Sequence, residues 1–304
     1  MKFDFSSSSF ILGETEISVK DICERSGRDY QRTVARAGFE KVYRSAKSEM
    51  DFFTSFLHDK LNVEPGDTIL LVNQSGGYSI PGLAPRVFAQ LSGVDSVNII
   101  EISDGCTGFL RALILADSLL KSGSTPAVTI VCAEKYSKFI NDSLSSAPIF
   151  SDAVSLVRLV AGVGLNVKAH RVINSFKDFE SISVDHTRGD SSLRMDGAGV
   201  LRWATLSSRK IAIDLSSSTG TEMSDIERWF VHQGSRVVVD AVASSLGITG
   251  ANLFSAGALG NTVSCSIPIS MILSREPGPD TKSIGLLAFG VGLSMVGVVL
   301  GGDT

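Results

Sequence analysis

Two segments of this chain repeat one another, and that repeat limits the fold more than any other feature. The run LLVNQSGG at 70–77 echoes RWFVHQGS at 228–235, an apolar stretch ending in Val-Asn-Gln in one copy and Val-His-Gln in the other. From Asn73 the first copy reaches Cys106 after 33 residues, and from His232 the second reaches Asn261 after 29. An apolar, glycine-poor segment suited to a helix follows each, TGFLRALILADSLL or TVSCSIPISMIL. A strand-like run then arrives in each, AVTIVCAE or SIGLLAFG. The matched order and spacing describe two pseudo-equivalent halves, 1–165 and 166–304, presenting loops at the same ends of their sheets, where open α/β sheets gather ligands.

Within the halves, apolar β-branched runs alternate with segments of helical period. Residues 68–72 (TILLV), 97–102 and 127–132 read as strands; 85–91 and 107–120 read as helices, the second closed by Gly123. Short continuous apolar strands between helices suit a sheet buried on both faces, so the class is α/β with layered sheets and helices. The uncharged stretch 284–300 has nearly the length of a membrane span, yet Gly285, Gly290, Gly292 and Gly297 interrupt it. It reads as two short buried strands around the turn FGVG, and no membrane association is expected.

Composition removes several function classes. A chain of 304 residues, 43% hydrophobic and 20% charged, is long enough for a substantial core and too apolar for dominant disorder. A net charge of −4, a pI of about 5.6 and no long basic run argue against a nucleic-acid surface. The four cysteines, Cys23, Cys106, Cys132 and Cys265, show no C-x-x-C spacing. That pattern excludes a disulfide framework or zinc ribbon and fits reduced thiols in a cytoplasm, with no metal site expected. The leading residues MKFDFSSSSFILGETE lack the apolar core and cleavage site of a secretory signal.

Three residues stand where chemistry is possible. Cys106 follows the run VNIIEI and an Asp104-Gly105 turn and opens an apolar helix, a position whose unpaired N–H groups and dipole favour a thiolate. By position alone it serves equally well as a small buried hydrophobe. His232 projects from a strand end before Gln233-Gly234; a core histidine holding one hydrogen bond is the plain alternative. Asn261, amid small residues before a helix, is either a helix cap or an amide donor to a developing oxyanion. The Gly290-Val291-Gly292 loop can supply backbone N–H donors in the same way. His58, His170 and His186 read as surface or loop residues. Nucleophilic thiol, imidazole acid/base and amide donor form the set that thioester exchange and carbanion chemistry need.

D-G-C-T-G-F, W-F-V-H-Q and L-G-N-T-x-S-x-S-I-P, in this order and spacing, resemble the active-site motifs of the β-ketoacyl-acyl carrier protein synthase III family, and F-G-V-G resembles its final glycine loop. The resemblance spans nearly the whole chain. It implies the thiolase fold, duplicated halves in a layered αβαβα architecture, a homodimer and a buried Cys-His-Asn site. It also implies a nucleophile at Cys106, a pair His232 and Asn261 that assists decarboxylation of a malonyl thioester, and an oxyanion hole of the Cys106 and Val291 backbone N–H groups. Arg36, Gln233 and Arg236 fall where contacts to coenzyme A or a carrier protein are expected, and Ile80, in G-Y-S-I-P, where a residue reaches the partner subunit's acyl pocket. No permanently bound cofactor is implied; a coenzyme A or phosphopantetheine thioester is the substrate, with acyl carrier protein as partner.

Three positions depart from the family pattern. Arg32 stands where an aromatic residue would stack on adenine, Asp104-Gly105 precedes the cysteine in place of a small residue, and Ser235 replaces an asparagine after H-Q-x. They suggest a divergent member, with a place in secondary metabolism. The leading reading is an acyltransferase that loads Cys106 and condenses the acyl group with a malonyl thioester by decarboxylative Claisen chemistry. The alternatives are acyl transfer to an oxygen or nitrogen acceptor without decarboxylation, and a non-catalytic partner subunit of an active homologue.

Overall fold

The computed structural model describes residues 1–76, 80–184, 191–248, 253–278 and 280–302. Their strands are β1 (Lys2–Leu12), β2 (Thr15–Ser18), β3 (Lys41–Arg44), β4 (Thr68–Val72), β5 (Asn98–Ile102), β6 (Ala127–Glu134), β7 (Ala153–Val160), β8 (Leu165–Asn174), β9 (Ile182–Ser183), β10 (Arg194–Met195), β11 (Arg228–Val231), β12 (Ser283–Gly290) and β13 (Ser294–Gly302). The helices are α1 (Val19–Ser26), α2 (Tyr30–Ala37), α3 (Glu49–Lys60), α4 (Leu83–Phe88), α5 (Gly108–Lys121), α6 (Gly197–Thr219), α7 (Arg236–Leu246) and α8 (Ser266–Ser274).

Two main sheets result. The first has the order β1-β7-β6-β4-β5 and the second β11-β12-β13-β8. In the first, β4 is parallel to β5 and β6, while β6–β7 and β7–β1 are antiparallel. In the second, β11–β12 is parallel, and β12–β13 and β13–β8 are antiparallel. The series β4, β6, β7, β1 therefore has the same directions as β11, β12, β13, β8. Membership changes between Val160 and Leu165, where β7 ends and β8 begins.

The layers follow from which faces are apolar. All residues of β4 and β6 are buried, because helices cover both faces of the sheet. On one face, Phe109, Leu110 and Leu113 of α5 join Ile267, Ile269 and Met271 of α8 in a core shared with strands of both sheets. On the outer face of the first sheet, Phe52, Phe53 and Leu57 of α3 and Val87 of α4 pack against Ile69 and Leu71. Ile211 and Leu215 of α6, with Val239 and Val242 of α7, cover the outer face of the second against Leu287 and Val299. The order helix, sheet, helix, sheet, helix is the expected layered thiolase architecture.

The uncharged stretch near the end forms β12 and β13, antiparallel from Ser283↔Gly301 to Gly290↔Ser294. Among the described residues no helix is long and apolar enough to cross a membrane. Expected boundaries shift by a few residues: α5 begins one residue after Cys106-Thr107, α4 ends earlier than residue 91, and β6 runs on to Glu134. All four cysteines are free and buried. His58 and His170 are exposed, and His186 lies outside the described residues.

Candidate active site

Cys106 is held by the turn between β5 and α5. Asp104 organises it: Oδ1 accepts from the Gly105 N–H (2.8 Å), and Oδ2 accepts from the Thr107 hydroxyl (2.9 Å) and pairs with Arg111 Nε (2.6 Å). The charge expected beside the thiol is thus already shared with a cation. Gly105 lies under the Gln74 carboxamide, where any Cβ would overlap Gln74 Oε1. At the end of β12 a Cβ on Gly290 would come within 2.6 Å of the Cys106 Cβ and Sγ, so glycine there lets that strand close on the sulfur.

The thiol does not ionise as the helix-start position implied. Burial, then the carboxylates of Glu134 and Asp104, push it up to about 12, against the opposing pull of the Val291 and Cys106 backbone N–H groups. A helix N-terminus favours an anion only modestly, and complete removal from water outweighs it. The resting group is a neutral thiol. The Val291 and Cys106 N–H groups nevertheless favour its ionised form.

His232 follows β11 and is buried, its ring edge-on to Phe289 with centroids 5.3 Å apart. Nδ1 lies 2.7 Å from Ser266 Oγ, which also accepts from the Gln233 N–H at 3.3 Å. Ser266 Oγ can donate to Nδ1 or accept from it, and donation of the serine proton would place the imidazole proton on Nε2. Burial pulls the imidazole down to about 3, so it is neutral.

Asn261 has both its possible roles at once. Its Oδ1 accepts from the Val263 N–H (2.9 Å), capping the short turn before α8, and this fixes the amide so that Nδ2 remains a donor. Nδ2 is only 3.5 Å from the Gly234 carbonyl, a long contact that leaves donor capacity for a ligand. Val263 takes the left-handed conformation (φ 56°) although β-branched, a strained choice that the packed turn enforces beside the site.

These side chains meet in one cavity of about 560 Å³, lined by Cys106, His232, Asn261, Phe289 and Val291 among others. Arg28, Arg32 and Arg36 share its lining at helical spacing from α2 and the turn before it, and Arg32 and Arg36 are exposed. Arg32, noted only as a departure, thus joins Arg36 in a basic rim. Arg236 is exposed nearby with its guanidinium 4.6 Å above the Phe254 ring. Ser235 also lines the cavity. Ile80 is fully exposed and lines no part of this cavity.

Gln233 corrects an expectation. It is 2% exposed and does not line the cavity. Its amide nitrogen donates to the Val231 and Leu253 carbonyls (2.7 and 2.8 Å), and its oxygen accepts from the Ser255 and Ala256 N–H groups (2.8 and 3.2 Å). With every polar atom spent on backbone, it latches a loop and has nothing to offer a thioester. Sequence reasoning in turn passed over Ser266 and Glu134. A glutamate ending the otherwise apolar run AVTIVCAE was a legible signal of a buried charge; the role of Ser266 needed the position of His232.

Comparison with known proteins agrees with this geometry. Residues 100–175 match the family described as 3-oxoacyl-[acyl-carrier-protein (ACP)] synthase III, and residues 217–301 match its C-terminal part, together more than half of the chain. The β-ketoacyl-[acyl-carrier-protein] synthase III of Neisseria gonorrhoeae is 24% identical over 297 residues, covering 92% of each chain. In fold, the chain is similar to the 3-oxoacyl-[acyl-carrier-protein] synthase III of Aquifex aeolicus (TM-score 0.85, 23% identity, 97% of this chain and 98% of that one). It is also similar to the priming β-ketosynthase of the R1128 polyketide biosynthetic pathway (TM-score 0.83, 21% identity, 97% and 95%). The chain belongs to the 3-oxoacyl-[acyl-carrier-protein] synthase III family of thiolase-fold acyltransferases.

Proposed function

We propose that this protein accepts an acyl group from a coenzyme A or carrier-protein thioester on Cys106 and condenses it with a malonyl thioester. The observation that carries this reading is the convergence of Cys106, His232 and Asn261 on one cavity, with the Cys106 and Val291 backbone N–H groups favouring the thiolate against burial.

In the first half-reaction the Cys106 sulfur attacks the thioester carbonyl, whose oxygen takes the Cys106 and Val291 N–H groups. The thiol proton passes by way of His232 to the departing thiolate, so a neutral thiol and a neutral imidazole suffice in the resting state. In the second, the malonyl thioester loses CO2, and the electron pair of the broken C–C bond becomes an enolate whose oxygen is held by His232 and Asn261. A neutral imidazole suits that task, since it donates one hydrogen bond without needing a counter-charge. The enolate carbon attacks the acyl carbonyl, the Cys106–acyl bond breaks, and the released thiolate takes up a proton.

The basic rim of Arg28, Arg32 and Arg36 suits a phosphopantetheine thioester on an acidic carrier protein or coenzyme A, and Arg236 extends that surface. A homodimer is supported by β5, an edge strand of the first sheet with a partly open face, and by Ile80, free to reach a partner's pocket. A place in the cytoplasm is in keeping with four unpaired thiols, and a role in secondary metabolism with the likeness to a polyketide priming enzyme.

Incubation with a panel of acyl thioesters, read by intact mass, tests the reading. The native chain gains one acyl mass and Cys106→Ala gains none; an unchanged mass shift in the variant would remove the central claim. CO2 release from a malonyl thioester then separates condensation from transfer to an oxygen or nitrogen acceptor.

A further inference from the structure

β6 ends in Glu134, which is completely buried, and no cation among the described residues pairs with it. The adjacent Lys135 amine is committed to the Ser45 carbonyl (2.7 Å) and lies 3.8 Å from Asp152. One Glu134 oxygen accepts from Ser264 Oγ (2.8 Å); the other accepts from the backbone N–H groups of Ser75 (3.1 Å) and Gln74 (3.4 Å). Ser264 stands in the turn that carries Asn261. Gln74 lies against Gly105 beside Cys106 and accepts from the Tyr136 hydroxyl at 2.9 Å. One carboxyl group therefore joins the turn of the second half to the loop of the first that supports the thiol.

Apart from Lys135, whose amine turns to Ser45 and Asp152, the ionisable groups that act on it are acidic or neutral. Cys106 and Asp104 belong to the nucleophile turn, Cys132 and Tyr136 to β6 and its continuation, and Cys265 to the turn before α8. Glu49 of α3 adds a further negative charge, which accepts from Ser75 Oγ (2.8 Å) and pairs with Lys138 (2.6 Å). A buried carboxylate in such company is costly unless it is hydrogen-bonded, and it penalises any second anion formed close by.

We propose that Glu134 is a positioning residue whose charge gates the nucleophile: protonated, it holds both loops and leaves Cys106 free to ionise when substrate arrives; ionised, it opposes the thiolate. Burial pushes this carboxyl up to about 8, against the hydrogen bonds from Ser264, Ser75 and Gln74 that favour its ionised form. Its change of charge therefore falls in a range where enzymes work. The inference rests on Cys106 being the nucleophile, and its test needs no acyl transfer.

The test is the rate of Cys106 alkylation by iodoacetamide in the full chain, mapped by peptide mass, as a function of pH. Glu134→Gln preserves the contacts, since the amide oxygen can accept from Ser75 and Gln74 while the amide nitrogen donates to Ser264 Oγ. We expect the variant to match the native chain near pH 6.5 and to react roughly three- to tenfold faster near pH 9.5, the effect of one anion close to another. The native profile should bend at about pH 8, and the variant's should not. Parallel profiles, or a uniform loss at every pH, would assign Glu134 to structure alone and overturn the proposal. Should Glu134→Gln not fold, Ser264→Ala removes a bond that favours the ionised form and must move the bend to higher pH; an unmoved bend overturns the proposal equally. A bend that responds in a chain unable to take up an acyl group would sink the proposed reaction and keep this inference. Normal acylation with an unresponsive bend would do the reverse.

Discussion

The two halves of the molecule run the same ladder and finish it differently. The rung that pairs Val72 with Cys132 in the first sheet corresponds to the one that pairs Val231 with Leu287 in the second. One residue past β4 stands Asn73, and one past β11 stands His232. Two residues beyond each rung, Glu134 in β6 corresponds to Phe289 in β12. Cys106 and Asn261 precede the paired central helices α5 and α8. Yet Asn73 spends itself on structure: its amide donates to the Ala133 carbonyl and to Ser75 Oγ (3.2 Å), and its oxygen accepts from the Gly76 N–H (2.6 Å). His232 has one nitrogen anchored by Ser266 and the other available to the cavity. A duplicated backbone thus brings three pairs of equivalent positions together, and the residue at each decides whether it braces the site or reacts in it. The halves also differ at their edges, since among the described residues β5 has no counterpart beside β11.

The sharpest way to break this comparison is to exchange function at the equivalent positions. His232→Ala should lower CO2 release from a malonyl thioester by roughly 10²–10⁴-fold, the range for a positioned proton-transfer or hydrogen-bonding group. Retained CO2 release would place the chemistry elsewhere. Next in size is Gly290→Ala, whose methyl group would meet Cys106 Cβ and Sγ at 2.6 Å and displace the nucleophile. A shift of about 1 Å costs on the order of 10²-fold in rate, so self-acylation should slow by about that factor, and overpacking should lower stability by about 1–3 kcal/mol.

The Glu134–Phe289 contrast predicts a pH dependence of stability. Folding raises the Glu134 carboxyl from its ordinary value of 4.5 to about 8, so the folded state binds the proton more tightly than the unfolded chain. That contribution is complete below pH 4.5 and is lost as the pH rises to about 8, amounting to a few kcal/mol. Denaturant melts of the native chain and of Glu134→Gln should diverge across this window, with the native chain losing more; curves that stay parallel would deny the carboxyl that role. The smallest expected effect is at Asn73. Its replacement by Ala should destabilise the fold by about 1–3 kcal/mol, the cost of leaving buried partners unpaired, without stopping acylation of Cys106. Acylation lost at unchanged stability would show that the first half's loop is reactive as well.

Much of this was legible because the strands are buried on both faces. TILLV, AVTIVCAE and SIGLLAFG carry their own pattern, and the V-N-Q and V-H-Q endings mark where each sheet opens onto the cavity. Cys106, His232 and Asn261 were found through the repeat and the motifs, before any distance was known. The direction of a side chain leaves no such trace. Gln233, next to His232 in sequence, points the other way because four backbone groups of its own strand and of residues 253–256 claim it.

The sequence by itself determined the α/β layering, the duplication, the family and the residues that meet in the cavity, since each is written in local pattern and order. Only the tertiary structure decided their protonation and their support. A cysteine before a helix looks prone to ionise until the other half of the molecule closes over it; burial then holds Cys106 as a thiol and His232 as a neutral imidazole. Desolvation depends on everything packed around a group, from both halves at once, and no local stretch of sequence contains it.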